Sequence, residues 1–341
     1  PYPLLCLGVL LGFAPPLLDC LGLDTCGIHL WGESTNGKTT TARIGASTWG
    51  NCTKGTNGNN RIVSWSATTT GFEVQAALHS SSLLVLDEMG EAEKEQIIQY
   101  IYSLSDSKGK TRGQADITLR PSQTWKLLAC STGEFNIKGH IGLTRNLPTG
   151  VLMRMLEIPV DTGDGCGALE GMTDKKDRKA FMEQLDAALR ANYGVACRPY
   201  LEHLTALLKQ PEELQALRDA HSEITNQFSH NGTNQHSRAA KVFAALALGG
   251  MIATQIGLTG WPENHALDVA QKAFSRWRVG FGEGVKEQTT FIEHLEGWLS
   301  HNGAHFAEVY PNAPHDFTDP DPEHNPRDTI RPLYGYRSPQ G

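Results

Sequence analysis

Short, mainly apolar runs alternate with helically spaced stretches through the first half of the chain, after which the helical spacing continues alone. Gly27–Trp31, Leu83–Leu86, Trp125–Cys130 and Arg154–Val160 are four to seven residues long and bounded by polar turns. That pattern predicts buried strands. Lys38–Ser47 and Glu91–Leu104 predict helices between them. The opening apolar stretch Leu4–Ala14 is too short to span a bilayer and has no basic residue before it, so it reads as a buried helix. From Asp174 onward the apolar spacing is helical, most clearly over Ser237–Leu258 and Glu263–Phe281. A further helix over Glu287–Phe306 breaks at Asn302-Gly303, which spoils a common face for His301 and His305. The expected layout is an α/β core over residues 1–165 and a mainly α-helical lid and C-terminal domain over 166–310, a winged helix being one form the latter can take. An extended tail rich in Pro, Asp and His follows over 311–341. Asp161 and Asp164, in the glycine-rich join, read as turn formers.

The chemistry sits where strands are expected to end. Behind Gly27–Trp31 comes Gly32-Glu33-Ser34-Thr35-Asn36-Gly37-Lys38-Thr39-Thr40, two glycines with the spacing of a phosphate-binding loop followed by Lys-Thr. Between strand and helix, such a loop wraps backbone N–H groups around the β-phosphate of ATP, aided by the helix N-terminus. Lys38 would reach the β- and γ-phosphates, and Thr39 would place its hydroxyl on Mg²⁺. A Gly/Asn surface turn is the competing account. It is weakened by Leu83–Leu86, which delivers Asp87 and Glu88 to the carboxyl edge of the expected sheet. Asp87 would hold Mg²⁺ through water and Glu88 would act as general base. In P-loop ATPases of the additional-strand type, the strand between these two ends in a polar residue that senses the γ-phosphate; Ser131 and Thr132 fit that place. Arg154–Val160 would close the sheet, with Arg154 and, upstream, Arg145 as cations near a subunit edge.

Composition bounds the partners. A chain of 341 residues with 39% hydrophobic content can bury a sizeable core, and its net charge of −7 excludes a general polycation. Any nucleic-acid surface must therefore be local. The acidic chain carries one basic segment, Ser107–Lys126, with Lys108, Lys110, Arg112, Arg120 and Lys126 against the single acid Asp116. It could form a hairpin with Lys108, Lys110 and Arg112 at its tip, or be a solvated loop. Seven scattered cysteines favour reduced thiols and a cytoplasmic location. The chain begins without Met inside an apolar element, which reads as a piece of a longer protein.

Taken together, GIHLWGESTNGKTT, ATTTGFEVQAALHSSSLLVLDEMGEA, GKTRGQ, TWKLLACSTGE, RMLEIPVD and SRAAKVFAALALGGMIATQIGLTGWP resemble the Cch-like predicted helicase ATPases of mobile genetic elements, domain-of-unknown-function family 927. The resemblance implies an AAA+-type P-loop NTPase with an additional-strand sheet, similar to superfamily 3 and MCM helicases. It further implies a ring of identical subunits, a hexamer, pumping single-stranded DNA through its pore, with no membrane association. Carried over by position, Lys108–Arg120 is the pore hairpin, Arg154 or Arg145 is the finger supplied to a neighbour's ATP, and Arg238 is the lid arginine on the γ-phosphate. The sequence departs from superfamily 3 in ending the sensing strand with Ser131-Thr132 rather than Asn.

Three functions remain open at this level. One is a DNA helicase motor for replication of a mobile element. Another is an ATP-dependent oligomeric switch in signalling or defence without DNA translocation. The third, an inactivated assembly module, is disfavoured because Lys38, Thr39, Asp87 and Glu88 are all present.

Overall fold

The computed structural model describes residues 2–53, 61–109, 112–113, 119–120, 122–141, 147–161, 163–230, 232–282, 295, 298, 306–308 and 335–337, with backbone alone for 112–113, 119–120 and the last two segments. The chain divides into two compact units, Pro1–Glu283 and Gly284–Gly341. In the second, Phe306–Glu308 pairs in parallel with Gly335–Arg337. The expected helix over Glu287–Phe306 and the tail lie largely outside the described residues.

In the first unit, β1 (Cys26–Trp31), β2 (Ile62–Ser64), β3 (Leu83–Asp87), β6 (Leu128–Gly133) and β7 (Met155–Pro159) form one sheet, while β4 (Arg112–Gly113) and β5 (Leu119–Arg120) pair separately. The sheet order is β2-β3-β6-β1-β7, and every neighbouring pair is parallel. β3 and β6 are buried along their whole length, as expected for parallel strands covered on both faces. β6 runs three residues further along than its apolar run suggests, because pairing sets its ends: Leu128 lies opposite both Cys26 and Leu83. Trp125 is buried outside the ladder, donating its indole N–H to the Leu104 carbonyl at 2.8 Å. β2 is short and half-exposed, so no hydrophobic period announces it.

The helices are α1 (Pro3–Phe13), α2 (Leu17–Cys20), α3 (Lys38–Ser47), α4 (Thr69–Leu78), α5 (Lys94–Ser105), α6 (Ile137–Ile141), α7 (Thr149–Leu152), α8 (Lys175–Ala191), α9 (Cys197–Leu208), α10 (Pro211–Ser229), α11 (Asn234–Gln255) and α12 (His265–Phe281). α1 is apolar on all sides and accordingly buried, packing on α3, α11 and α12. α11 opens on a capping box between Thr233 and His236. α12 buries Ala266, Val269, Ala270, Ala273, Phe274, Trp277 and Phe281, a helical stripe. One continuous core runs from Leu4 through the sheet to Phe281, so α8, α10, α11 and α12 pack onto the α/β core, while Tyr200 and Leu204 of α9 form a second cluster with Phe13 and Leu17. No helix among the described residues is long and apolar enough to cross a membrane.

Between α5 and β6 the backbone forms an antiparallel hairpin. Lys108 bridges Thr124, and Arg112 lies opposite Arg120. Lys108 therefore stands at the base of the hairpin, not at its tip as the sequence suggests, because pairing begins immediately after α5. Lys110 lies outside the described residues, and for Arg112 and Arg120 only the backbone is described.

Candidate active site

The P-loop joins β1 to α3 at the carboxyl edge of the sheet. Gly37 sits in the left-handed region at φ 84°, and a Cβ there would lie 2.8 Å from the Ala168 Cβ, so both conformation and space require glycine. No side chain caps α3, which leaves its first N–H groups for an anion. Lys38 is buried and curls back over the loop, its Nζ donating to the Gly32 and Glu33 carbonyls at 2.8 and 2.6 Å. Burial lowers its pKa, and the charges of Glu88, Glu134 and Asp87 work against that shift. Lys38 thus lies folded against the backbone of Gly32 and Glu33.

β3 carries the acids to the same edge. Asp87 is buried, and its Oδ1 accepts from the Thr39 hydroxyl at 3.0 Å and from the Thr132 hydroxyl at 2.7 Å. Thr132 in turn accepts the Glu88 backbone N–H at 3.0 Å, so one hydroxyl on β6 ties down both ends of the Asp-Glu pair. Glu88 has a left-handed backbone, φ 56°, and its carboxylate accepts from the Gly90 N–H at 3.2 Å. Strain of this kind in a non-glycine residue persists only where surrounding contacts enforce it. The Thr39 hydroxyl and Asp87 carboxylate form a hard oxygen pair that fits Mg²⁺. Among the described residues no group of three His, Cys, Asp or Glu could hold a metal alone, so such an ion would complete its shell with phosphate oxygens and water.

Ser131 faces the other way. Strand alternation turns it into the core, where its hydroxyl meets His29 Nδ1 at 2.9 Å and accepts from the Trp65 indole at 3.0 Å. Of the expected polar pair, Thr132 alone lies on the site, and Ser131 is corrected to a core hydroxyl. His29 is fully buried and its Nε2 meets the Phe135 carbonyl at 3.0 Å. A carbonyl only accepts, so the proton sits on Nε2 and Nδ1 accepts from Ser131. Burial pushes the His29 pKa down to about 4. In the unfolded chain the ring titrates near 6.5, so between pH 6.5 and 4 the unfolded state binds the extra proton and stability falls as pH falls. The full loss amounts to roughly 3 kcal/mol. Denaturant unfolding at pH 7, 6 and 5 should therefore show a steeper acid loss in the parent than in His29→Gln. Equal slopes would remove His29 from the account.

Behind the P-loop, the join between core and helices forms a cover that the sequence reading left unassigned. Asp161 accepts the Gly163 and Gly165 N–H groups and Asp164 accepts those of Cys166 and Gly171, so both acids are the expected turn formers. The turn brings Gly167, φ 58°, against Asn36, where a Cβ would lie 2.6 Å from the carbonyl oxygen. The Ala168 N–H donates to that carbonyl at 2.9 Å. A cavity of about 400 Å³ opens there, walled by Thr35, Asn36 and Gly37 on one side and Cys166, Arg178 and Met182 on the other. Its only sequence signal was the glycine density of the join.

Arg154 and Arg238 lie at the opposite edge. Arg154 immediately precedes β7, with its Nε on the Ser105 hydroxyl at 2.7 Å, Nη1 on the Gly150 carbonyl at 3.1 Å, and its guanidinium 4.8 Å from the Tyr102 ring centroid. Arg238 lines the same cleft, about 210 Å³ in volume, together with Thr25 and Cys26 at the amino end of β1. The six residues of β1 separate this cleft from the P-loop by about 20 Å. Arg238 therefore does not reach its own chain's phosphate loop, which corrects its placement as an arginine closing over that loop. The cause is the packing of α11 along α1 and toward the amino edge of the sheet. Arg145 lies outside the described residues.

No curated protein matches the chain. The family model described as "Domain of unknown function (DUF927)" matches residues 2–124. Among solved structures, "SCCmec type IV Cch - active helicase" superposes with a TM-score of 0.62 at 18% identity, covering 93% of this chain and 55% of that one. The chain thus spans about half the length of that structure. With the family model over residues 2–124 and the Cch helicase fold over nearly all the chain, the resemblance to the Cch-like helicase family of mobile elements stands.

Proposed function

We propose that the chain is the ATP-hydrolysing motor of an AAA+-type DNA helicase, working as a ring, a hexamer, in the replication of a mobile genetic element. The observation that carries this is the two-edged sheet: Lys38, Thr39, Asp87, Glu88 and Thr132 converge at one edge, while Arg154 and Arg238 share a cleft at the other. A site divided in this way is completed by stacking copies edge to edge, which turns each cleft toward a neighbour's ATP.

In that arrangement Gly32–Thr40 cradles the phosphates, and Lys38 leaves its two carbonyl partners for the β/γ oxygens. Glu88 takes a proton from water as its oxygen bonds to the γ-phosphorus and the bond to the β-phosphate oxygen breaks. Mg²⁺, held by Thr39 and Asp87, supplies neutralisation of phosphate charge when bound. Thr132 holds both acids in register, and Arg154 and Arg238 face the charge developing on the neighbour's γ-phosphate. The hairpin carrying Lys108, Lys110, Arg112 and Arg120 holds single-stranded DNA by its phosphates. The similarity in fold to an active helicase supports the same reading.

The test is ATP turnover with and without single-stranded DNA. Turnover should rise with DNA, and Lys108→Ala, Lys110→Ala, Arg112→Ala together should abolish the rise. Each lost phosphate contact should also reduce the salt slope of binding by about 0.7. Turnover indifferent to DNA would favour the ATP-dependent oligomeric switch instead.

A further inference from the structure

We propose that Lys241 is a third cation of the Arg154–Arg238 cleft and meets the terminal phosphates of the ATP bound by an adjacent copy of the chain. The inference rests on the proposal that this cleft faces a neighbour's nucleotide, and adds to it a residue that no sequence motif marks.

Lys241 follows Arg238 by three residues on α11, which places both side chains on one helix face, and both line the cleft. Neither side chain makes a hydrogen bond or ion pair among the described residues, and both are exposed. Arg154, across the cleft, is by contrast held by Ser105, Gly150 and Tyr102. Three cations thus line the cleft with one acid, Asp24. An anion entering the cleft meets three cations against one carboxylate. The backbone beneath is fixed, since His221 Nε2 meets the Lys241 carbonyl at 2.8 Å and so ties α10 to this turn of α11. A cleft of about 210 Å³ has room for phosphate groups. A lysine contributes there as a mobile point charge beside two planar guanidinium groups.

The experiment uses the full chain, assembled, with ATP as the probe. Lys241→Ala should lower kcat about tenfold, as expected for one cation at a developing charge, with little change in KM because the bound copy's own P-loop holds ATP. Lys241→Arg should restore most of the rate. Mixing Lys241→Ala with Lys38→Ala should recover turnover, since the Lys38→Ala copy offers an intact Lys241 to its neighbour's intact P-loop. Wild-type kcat in Lys241→Ala, or no recovery in a mixture where Arg154→Ala does recover, would overturn the assignment of Lys241 alone. Failure of Arg154→Ala itself to recover would overturn the cleft reading, and Lys241 with it.

Discussion

Replacing Lys38 with Ala is expected to abolish ATP turnover, while Glu88→Gln keeps nucleotide binding and slows hydrolysis about 10²-fold or more. The two losses arise differently. Lys38 lies against the loop on the Gly32 and Glu33 carbonyls, and on the proposed function its removal leaves the β/γ-phosphates facing backbone dipoles alone. Glu88 acts on that lysine through its charge, which favours the protonated form. Its place is set by the left-handed turn after β3 and by the Thr132 hydroxyl on its N–H, which put a proton acceptor beside the site without gripping phosphate. Stopped hydrolysis with retained binding of a fluorescent ATP analogue is the result that identifies Glu88 as base. Wild-type turnover in Glu88→Gln would falsify that role, and loss of binding would make it a ligand instead.

Arg154→Ala should cost about 10³-fold in turnover, the lower range for an arginine supplied to a phosphoryl-transfer site. It sits about 20 Å from its own P-loop, judged by the length of β1, so the loss must be felt by a neighbour's ATP. Mixing Arg154→Ala with Lys38→Ala should then restore part of the activity, because some interfaces pair an intact P-loop with an intact arginine. Arg154 also braces Ser105, Gly150 and Tyr102, so the variant should melt earlier. A purely structural role would lower the melting temperature and leave the mixture inactive. No recovery in assemblies shown to contain both proteins would count against action across an interface and turn the test to Arg145.

The parts of the site legible from sequence are those written locally. The glycine spacing of Gly32–Gly37 followed by Lys38-Thr39, and the apolar run Leu83–Leu86 ending in Asp87-Glu88, each carry their chemistry within a few adjacent residues. The helix Lys38–Ser47 coincides with its expected span. The short edge strand Ile62–Ser64 escaped notice because half-exposed residues leave no hydrophobic period. The cover formed by Gly167 and Ala168 escaped because its function lies in backbone approach to Asn36, which no side chain advertises.

Local pattern determined that this chain has a parallel α/β core, a glycine loop ending in Lys38-Thr39 and an acidic strand end, since periodicity and turn chemistry act between near neighbours. Tertiary structure alone decided which polar residue joins them. Inserting β6 between β1 and β3, in the register that sets Leu86 beside Ser131, turns Ser131 to His29 and Trp65 and brings Thr132 onto Asp87. It also decided that Arg154 and Arg238, 84 positions apart in the sequence, share one cleft at the edge away from the P-loop. Sequence distance carries no information about such a meeting, because it depends on how α11 packs against α1 and the sheet, a long-range contact that no local period encodes.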